Sequence, residues 1–171
     1  MSFKFNDSTK PWWSNHALLK RFVVDLISGE LRRLRPGKLQ LPGAPWPDSL
    51  MIDQDLATDS LELMQLATAL AQAPHMHEAG IEDYLLMRRG LNDWVEIIAN
   101  SLDIYSATIS FITSGTTGFP KACPHELAVL LQEAAFLAEL FPGTKRLYIA
   151  VPSHHIYGFL FTILLGCVAI A

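Results

Sequence analysis

The sequence lacks the features that mark several large classes of protein. Its 171 residues include only two cysteines, Cys123 and Cys167, whose number and spacing fit neither a disulfide framework nor a cysteine-based metal site. No apolar signal region lies at the N-terminus, and the apolar tail at 156–171 contains Gly158 and Gly166 and is too short to span a bilayer. With 13 basic and 17 acidic residues, the net charge of −4 argues against a nucleic-acid surface. We therefore expect a cytoplasmic protein with no membrane span, no nucleic-acid partner and no metal site of its own.

The first hundred residues have the pattern of several helices separated by strong breakers. Apolar residues recur at helical spacing over 15–35, which predicts an amphipathic helix. The stretch 36–49 holds four prolines and two glycines, so it cannot be regular helix or central strand. Shorter helical patterns follow at 81–88 and 91–102.

A further helix is predicted between these segments, where Asp59 is followed three residues later by Glu62. This spacing resembles a capping box, in which both side chains bind the free N–H groups of a helix start. We expect an N-terminal arm over 1–13 and a compact helical unit over 14–103, whose apolar stripes can pack against each other.

Residues 113–121 have the sequence Thr-Ser-Gly-Thr-Thr-Gly-Phe-Pro-Lys, directly after a β-like run at 106–112. Glycines let a loop turn its N–H groups inward, while hydroxyl groups and a lysine add donors that suit phosphate. It is not a Walker loop, because Pro120 stands where that pattern has a glycine before its lysine. The segment predicts binding of the phosphates of ATP by Thr113, Ser114, Gly115, Thr116, Thr117, Gly118 and Lys121.

A second motif occupies 152–158, with the sequence Pro-Ser-His-His-Ile-Tyr-Gly. It follows a strand-like run at 147–151, and a helical stripe at 126–140 ends at the breaker Phe-Pro-Gly of 141–143. Strand, loop, helix, strand and loop in this order predict an α/β layout, with a ligand bound at the strand ends.

Both motifs resemble those of the adenylate-forming enzymes, which include acyl-CoA synthetases and aryl-CoA ligases. The resemblance implies that His155, Tyr157 and Gly158 line an acyl or pantetheine channel; at the place of His154 the family usually has an apolar residue. It also implies ATP with Mg²⁺, a carboxylic acid that is activated as acyl-AMP, and transfer of the acyl group to CoA or to the thiol of a carrier protein.

The resemblance covers only part of such an enzyme. The run at 166–171 has the composition of a core strand, and the family's later motifs are absent: the acidic metal ligand, the ribose-binding aspartate and the C-terminal lysine. We therefore expect residues 104–171 to be a partial adenylation domain, and the 171-residue chain to be inactive by itself.

The helical part resembles an acyl carrier domain, because Asp59-Ser60-Leu61 stands at a predicted helix start. In that family the serine bears 4′-phosphopantetheine, so Ser60 is the candidate attachment site. The positions of Ala57 and Thr58 depart from the family's pattern of Gly and an apolar residue, and a simple capped helix is the alternative.

The predicted fold class is mixed: an N-terminal all-α, acyl-carrier-like bundle followed by an incomplete α/β portion of an adenylation domain. This domain order resembles the AMP-ligases of aryl-polyene, xanthomonadin-type pigment pathways, which would imply an aromatic carboxylic acid as substrate. Three functions remain open: the N-terminal part of an acyl- or aryl-acid ligase, a carrier or docking module without adenylation activity, and a non-catalytic nucleotide-binding protein.

Overall fold

The structure is a computed structural model, and it describes residues 10–37, 40–113, 121–143, 146–148 and 150–169. Over these residues helices predominate, and two strands form one antiparallel sheet. The mixed fold class predicted from the sequence is thereby confirmed.

Helix α1 (His16–Leu34) is the longest helix of the described residues and the platform of the helical part. Its start is capped by the side chain of Asn15, which accepts hydrogen bonds from the backbone N–H groups of Ala17 and Leu18. The predicted apolar stripe is buried, with Leu19, Phe22, Val23, Ile27 and Leu31 in the core. The helix predicted over 15–35 is therefore confirmed.

Helix α2 (Ser60–Gln72) starts at the predicted capping box. The Asp59 carboxylate accepts the N–H of Glu62, and the Glu62 carboxylate accepts the N–H of Asp59. The Glu62 carboxylate also binds the Arg35 guanidinium, which donates to two backbone carbonyls of the preceding loop as well. Arg35 therefore joins the end of α1 to the start of α2.

Two further helices complete this part of the molecule: α3 (Tyr84–Met87) and α4 (Leu91–Ile104). The indole of Trp94 is fully buried and donates its N–H to the carbonyls of Leu85 and Arg88. These helices confirm the segments predicted over 81–88 and 91–102, although the first is only one helical turn.

The sheet is a hairpin of β1 (Thr108–Thr113) and β2 (Lys121–Glu126), paired so that Thr113 lies opposite Lys121. The sequence predicted β1 but not β2, since Pro124 interrupts a short polar run there. Strand β2 tolerates the proline because its outer edge pairs with no other strand of the described residues, so an N–H facing that edge is not needed for a ladder hydrogen bond. The hairpin and the helix that follows it are consistent with the predicted partial α/β domain, although the two strands at this loop are antiparallel.

Helix α5 (Leu127–Leu140) follows the hairpin directly and confirms the helix predicted over 126–140. The strand predicted over 147–151 is wrong for its described residues, which lie outside any strand. A strand needs a partner to bind its N–H and C=O groups, and the described sheet holds only β1 and β2.

The described residues of the C-terminal part are helical, whereas a core strand was predicted over 166–171; residues 170 and 171 lie outside the described residues. Helix α6 (Ile156–Phe159) runs through a wider, π-type turn (Leu160–Leu164) into α7 (Leu165–Ala169). A short apolar run fits a buried helix as well as a buried strand, and periodicity alone cannot separate the two. Here the helix binds its own backbone groups without a neighbouring strand.

An aromatic cluster joins the helical part to the hairpin and to α6. Phe159 is fully buried, and its ring centroid lies 5.1 Å from that of Trp12, 5.4 Å from Phe22 and 5.4 Å from Phe111. One hydrophobic core therefore contains residues from both sides of residue 103. The division of the chain into 1–13, 14–103 and 104–171 stays a prediction, which unfolding of a 1–103 fragment would test.

Phe159→Ala should lower the free energy of unfolding of the 171-residue chain by about 3–5 kcal/mol, because it opens a cavity among three rings. Urea denaturation followed by circular dichroism measures this loss. Phe136→Ala is the control, since Phe136 lies on α5 with 60% of its surface exposed. Equal losses in the two variants would show that Phe159 does not hold the parts together.

Candidate functional site

The hairpin brings the two ends of the predicted phosphate loop together. Thr113 ends β1 and Lys121 begins β2, directly opposite, so their Cα atoms lie about 5 Å apart. The Thr113 hydroxyl lies 3.4 Å from the Lys121 carbonyl oxygen and 3.7 Å from the Cys123 sulfur. Both side chains are exposed, so Lys121 is available to a phosphate. The other predicted phosphate ligands lie outside the described residues: Ser114, Gly115, Thr116, Thr117 and Gly118.

Strand β1 is fastened to the helical part by polar contacts at Ser110. Its N–H donates to the carbonyl of Ala73 at 2.8 Å, and its hydroxyl lies 2.9 Å from Nε2 of His75. Burial, and next the nearby charge of His77, lower the pKa of His75. The strand that leads into the predicted phosphate loop is thus positioned by Ala73 and His75, which follow α2.

The loop that carries the second motif is anchored by the residues around His155 and Tyr157. Gly158 has no room for a side chain, because a Cβ atom would lie 1.9 Å from the carbonyl oxygen of Pro152. The next residue, Phe159, occupies the aromatic cluster and donates its N–H to the carbonyl of His155. Gly158, which lies in α6, is therefore required by the close approach of the loop backbone at Pro152.

The two histidines of this loop lie in different surroundings. His154 is partly buried against α1, while His155 is exposed, and their ring centroids are 4.2 Å apart. Burial, and next the charge of His155, lower the pKa of His154 from about 6.5 to about 4. His154 is therefore neutral at pH 7 and packs like the apolar residue that the resemblance led us to expect at this position.

His155 and Tyr157 are presented to solvent from this anchored loop, and Tyr157 is 71% exposed. The loop leads into Phe159, whose ring lies beside Phe111 of β1, so the loop and the hairpin converge on one core. An imidazole and a phenol on this surface can bind a ligand by hydrogen bonds and stacking. Of the three predicted channel residues, His155 directly precedes α6 and is exposed with Tyr157, whereas Gly158 of α6 is buried.

Ser60 is the first residue of α2, and its side chain is exposed. Two residues that follow on the helix, Leu61 and Met64, are also largely exposed. Ala57 has a backbone φ of 47°, in the left-handed region that favours glycine. The backbone thus takes a glycine-like conformation at the position where the carrier pattern has Gly.

The described residues hold no group of three His, Cys, Asp or Glu side chains that could bind a metal ion. Within the same part of the chain, no helix is long and apolar enough to cross a membrane. A magnesium ion that accompanies ATP commonly takes ligands from the phosphates and water, so it needs few protein ligands.

The chain is similar to proteins named 4-coumarate–CoA ligase in three bacteria. It is 40% identical over 162 residues to that of Cereibacter sphaeroides, 37% over 147 residues to that of Halorhodospira halophila and 36% over 159 residues to that of Rhodobacter capsulatus. These matches cover 84%, 85% and 86% of this chain, but 39%, 37% and 41% of the respective relatives. The chain thus spans about two fifths of their length. No protein-family model and no solved structure matches it.

The similarity to these three proteins extends into the helical part. A match that covers 84% of the chain is too long to fit within residues 104–171, so it includes much of the segment before residue 104. The helical part is therefore shared with proteins named as ligases.

Three residues with clear structural roles at this site were not found from the sequence: Asp25, Gly29 and His75. Asp25 binds Ser153, and Gly29 faces the ring of His154. Gly29 carried a usable signal, because a glycine in the middle of an amphipathic helix indicates a close packing contact. The sequence offers no such signal for Asp25 and His75, because the residues that they contact, Ser153 and Ser110, are distant in the sequence.

The buried ring of His154 should make the stability of the chain fall as the pH falls from about 6.5 to 4. In this window the unfolded chain binds a proton at His154 and the folded chain does not, so protonation favours unfolding. His154→Phe should remove about 1–2 kcal/mol of the loss between pH 7.5 and 4.5, allowing for screening of the partly exposed ring.

Urea denaturation at the two pH values measures this difference. His77→Phe is the control, because the side chain of His77 is 58% exposed. If His154→Phe and the unsubstituted chain lose equal stability on acidification, His154 is not held neutral by its packing against α1.

Proposed function

We propose that this chain forms the N-terminal part of an ATP-dependent acid–thiol ligase. Its support is the similarity to proteins named 4-coumarate–CoA ligase, which extends over much of the helical part and of residues 104–171. The hairpin adds a geometric argument, because it holds Thr113 and Lys121 on opposite sides of the loop mouth, as a phosphate clamp requires.

The proposed reaction has two steps. A carboxylate oxygen of the acid attacks the α-phosphorus of ATP, and the bond to the bridging oxygen breaks to release pyrophosphate. A thiolate then attacks the acyl carbon, and AMP leaves. Lys121 and the loop donors stabilise the negative charge that develops on the leaving β- and γ-phosphates. His155 and Tyr157 lie beside the acid or the pantetheine arm of the thiol.

The substrate class that we propose is an aromatic carboxylic acid, with CoA as the thiol. The relatives carry the name of 4-coumarate, a hydroxylated aromatic acid, and of CoA. The resemblance to aryl-polyene pathway ligases favours the same class of acid. Magnesium accompanies the nucleotide and is held mainly by its phosphates.

The test joins this chain to the remaining three fifths of the Cereibacter sphaeroides protein, and we refer to the product as the joined protein. We expect it to form 4-coumaroyl-CoA from 4-coumarate, ATP and CoA, followed by absorbance and mass spectrometry. The 171-residue chain alone should show no exchange of pyrophosphate into ATP that depends on the acid. Such exchange by the chain alone would contradict the proposal of a partial site.

Lys121→Ala in the joined protein should lower the rate of adenylation by about 10²–10³, because one charged donor to the leaving phosphates is lost. Binding of 4-coumarate, measured by equilibrium titration, should change much less. Lys10→Ala is the control, since Lys10 is an exposed lysine outside the hairpin. If both variants keep full activity, the phosphate role of Lys121 is wrong.

A carrier or docking module is the second candidate, favoured by the exposed Ser60 at a helix start and by the glycine-like backbone of Ala57. The N-terminus of a helix tolerates an added phosphate, because its free N–H groups and its dipole attract negative charge. The carboxylates of Asp59 and Glu62 stand close by and oppose it, although Arg35 neutralises part of their charge. The extent of the similarity to ligases favours the first candidate.

If Ser60 is a carrier serine, incubation with CoA and a broad phosphopantetheinyl transferase should add one phosphopantetheine, detected by intact mass. Ser60→Ala should abolish the gain, whereas Ser49→Ala, which changes another exposed serine, should keep it. No gain in the unsubstituted chain would eliminate the carrier function and leave α2 as a capped helix of the ligase.

A further inference from the structure

Helix α1 contacts the loop of the second motif at two positions, Asp25 and Gly29. They are four residues apart, so they lie one above the other on the same face of the helix. Asp25 meets Ser153 and Gly29 meets His154, the two residues that directly precede His155. These contacts join the helical part to the loop across more than one hundred residues of sequence.

The contact at Asp25 is a double hydrogen bond to one residue. Oδ2 of Asp25 accepts the backbone N–H of Ser153 at 2.7 Å and its hydroxyl at 2.6 Å. Ser153 is fully buried, and the carboxylate is three-quarters buried, with Nε of Arg21 at 3.7 Å. Hydrogen bonds to an ionised acceptor are among the stronger ones in proteins, so the backbone is well fixed at Ser153.

The contact at Gly29 depends on the absence of a side chain. A Cβ atom at Gly29 would lie 2.7 Å from Nε2 and 2.8 Å from Cε1 of His154, closer than such atoms approach. Glycine inside a helix is less favourable than alanine, so its use here calls for a packing reason. The imidazole of His154 provides that reason, because its ring occupies the space that any other residue would fill.

We propose that Asp25 and Gly29 are positioning residues for the candidate acyl and pantetheine channel, and that they act on His155 and Tyr157 through Ser153 and His154. The inference rests on the proposed ligase function. The ring of His154 lies on Gly29 and contacts the ring of His155, so its place on α1 limits where His155 can lie.

The other end of the presented segment is fixed as well. Phe159 donates its N–H to the carbonyl of His155 at 2.8 Å, and its own ring is locked in the aromatic cluster. His155 and Tyr157 therefore stand on a short span that is held at both ends. In this arrangement α1 of the helical part helps to position the residues of the candidate channel, so the helical part is not a separate module.

The first test uses the 171-residue chain and the NMR signals of its histidine and tyrosine rings. Gly29→Ala should displace the ring of His154, so that its pKa rises from about 4 toward 6.5 and the ring signals of His155 and Tyr157 shift. Asp25, Arg32 and His155 are the charged groups that act on His154, and none of them is changed by this substitution.

Gly166→Ala is the matched control. Gly166 also lies in a helix, but a Cβ atom there meets nothing within 4 Å. It should leave the three ring signals unchanged. If Gly29→Ala prevents folding, the ring signals of His155 and Tyr157 are compared in Asp25→Asn instead; the pKa of His154 is left out of this comparison, because the Asp25 charge itself raises it. Glu30→Gln is the control, because Glu30 pairs with Arg33 on α1 itself.

The second test measures kinetics in the joined protein. Asp25→Asn should raise KM for 4-coumarate and for CoA about tenfold, because a displaced loop misplaces its ligand contacts. KM for ATP should change less than about twofold, since the phosphate loop is held by the hairpin instead. Ser153→Thr, which keeps the hydroxyl, should stay nearer to the unsubstituted protein than Ser153→Ala.

Two results would overturn the inference. One is that the ring signals of His155 and Tyr157 do not respond to Gly29→Ala in a folded chain. The other is that Asp25→Asn raises KM for ATP as much as KM for the acid. Failure of the proposed function itself has a different signature: the unsubstituted joined protein forms no thioester, although the ring signals still respond. That result would overturn the role of these residues in the channel while leaving their contact with the loop intact.

Discussion

The packing of Phe159 against Trp12, Phe22 and Phe111 is the contact on which the rest of the arrangement depends. The four rings come from the N-terminal turn, α1, β1 and α6, so one cluster brings together segments that are distant in sequence. Rings that meet edge to face add to the hydrophobic gain of burial. In this cluster the hairpin and the second motif share one core with the helical part.

Within the second motif, some residues hold the loop against the rest of the protein and others are exposed to a ligand. Ser153, His154 and Gly158 face the protein and satisfy packing or hydrogen-bond requirements. His155 and Tyr157 lie between His154 and Gly158 in the sequence and face solvent, where a ligand can reach them. Two adjacent histidines therefore serve different purposes, because one is desolvated against a helix and the other is not.

The helical part resembles an acyl carrier domain and is also similar to part of proteins named as ligases. These two resemblances imply different functions for the same residues. A capped helix with an exposed serine is common to many helical proteins, since the cap only satisfies free N–H groups. Similarity over most of the chain to proteins named as ligases is more specific, and it agrees with the physical contacts between α1 and the loop at 152–158. On the proposed function, the helical part is a support for the loop at 152–158 and not an independent carrier.

The sequence by itself determined the elements that depend on local chemistry: α1, α2, α4, α5 and β1. Their apolar spacing, the Asp59–Glu62 box and the proline and glycine breakers act over a few residues, so they are visible without a structure. Only the tertiary structure decided that a hairpin brings together Thr113 and Lys121 of the predicted phosphate loop, that residues 156–169 are helical and that Asp25 and Gly29 contact the second motif. These features depend on partners far apart in the chain, and whether a polar group or a glycine is buried depends on what packs against it.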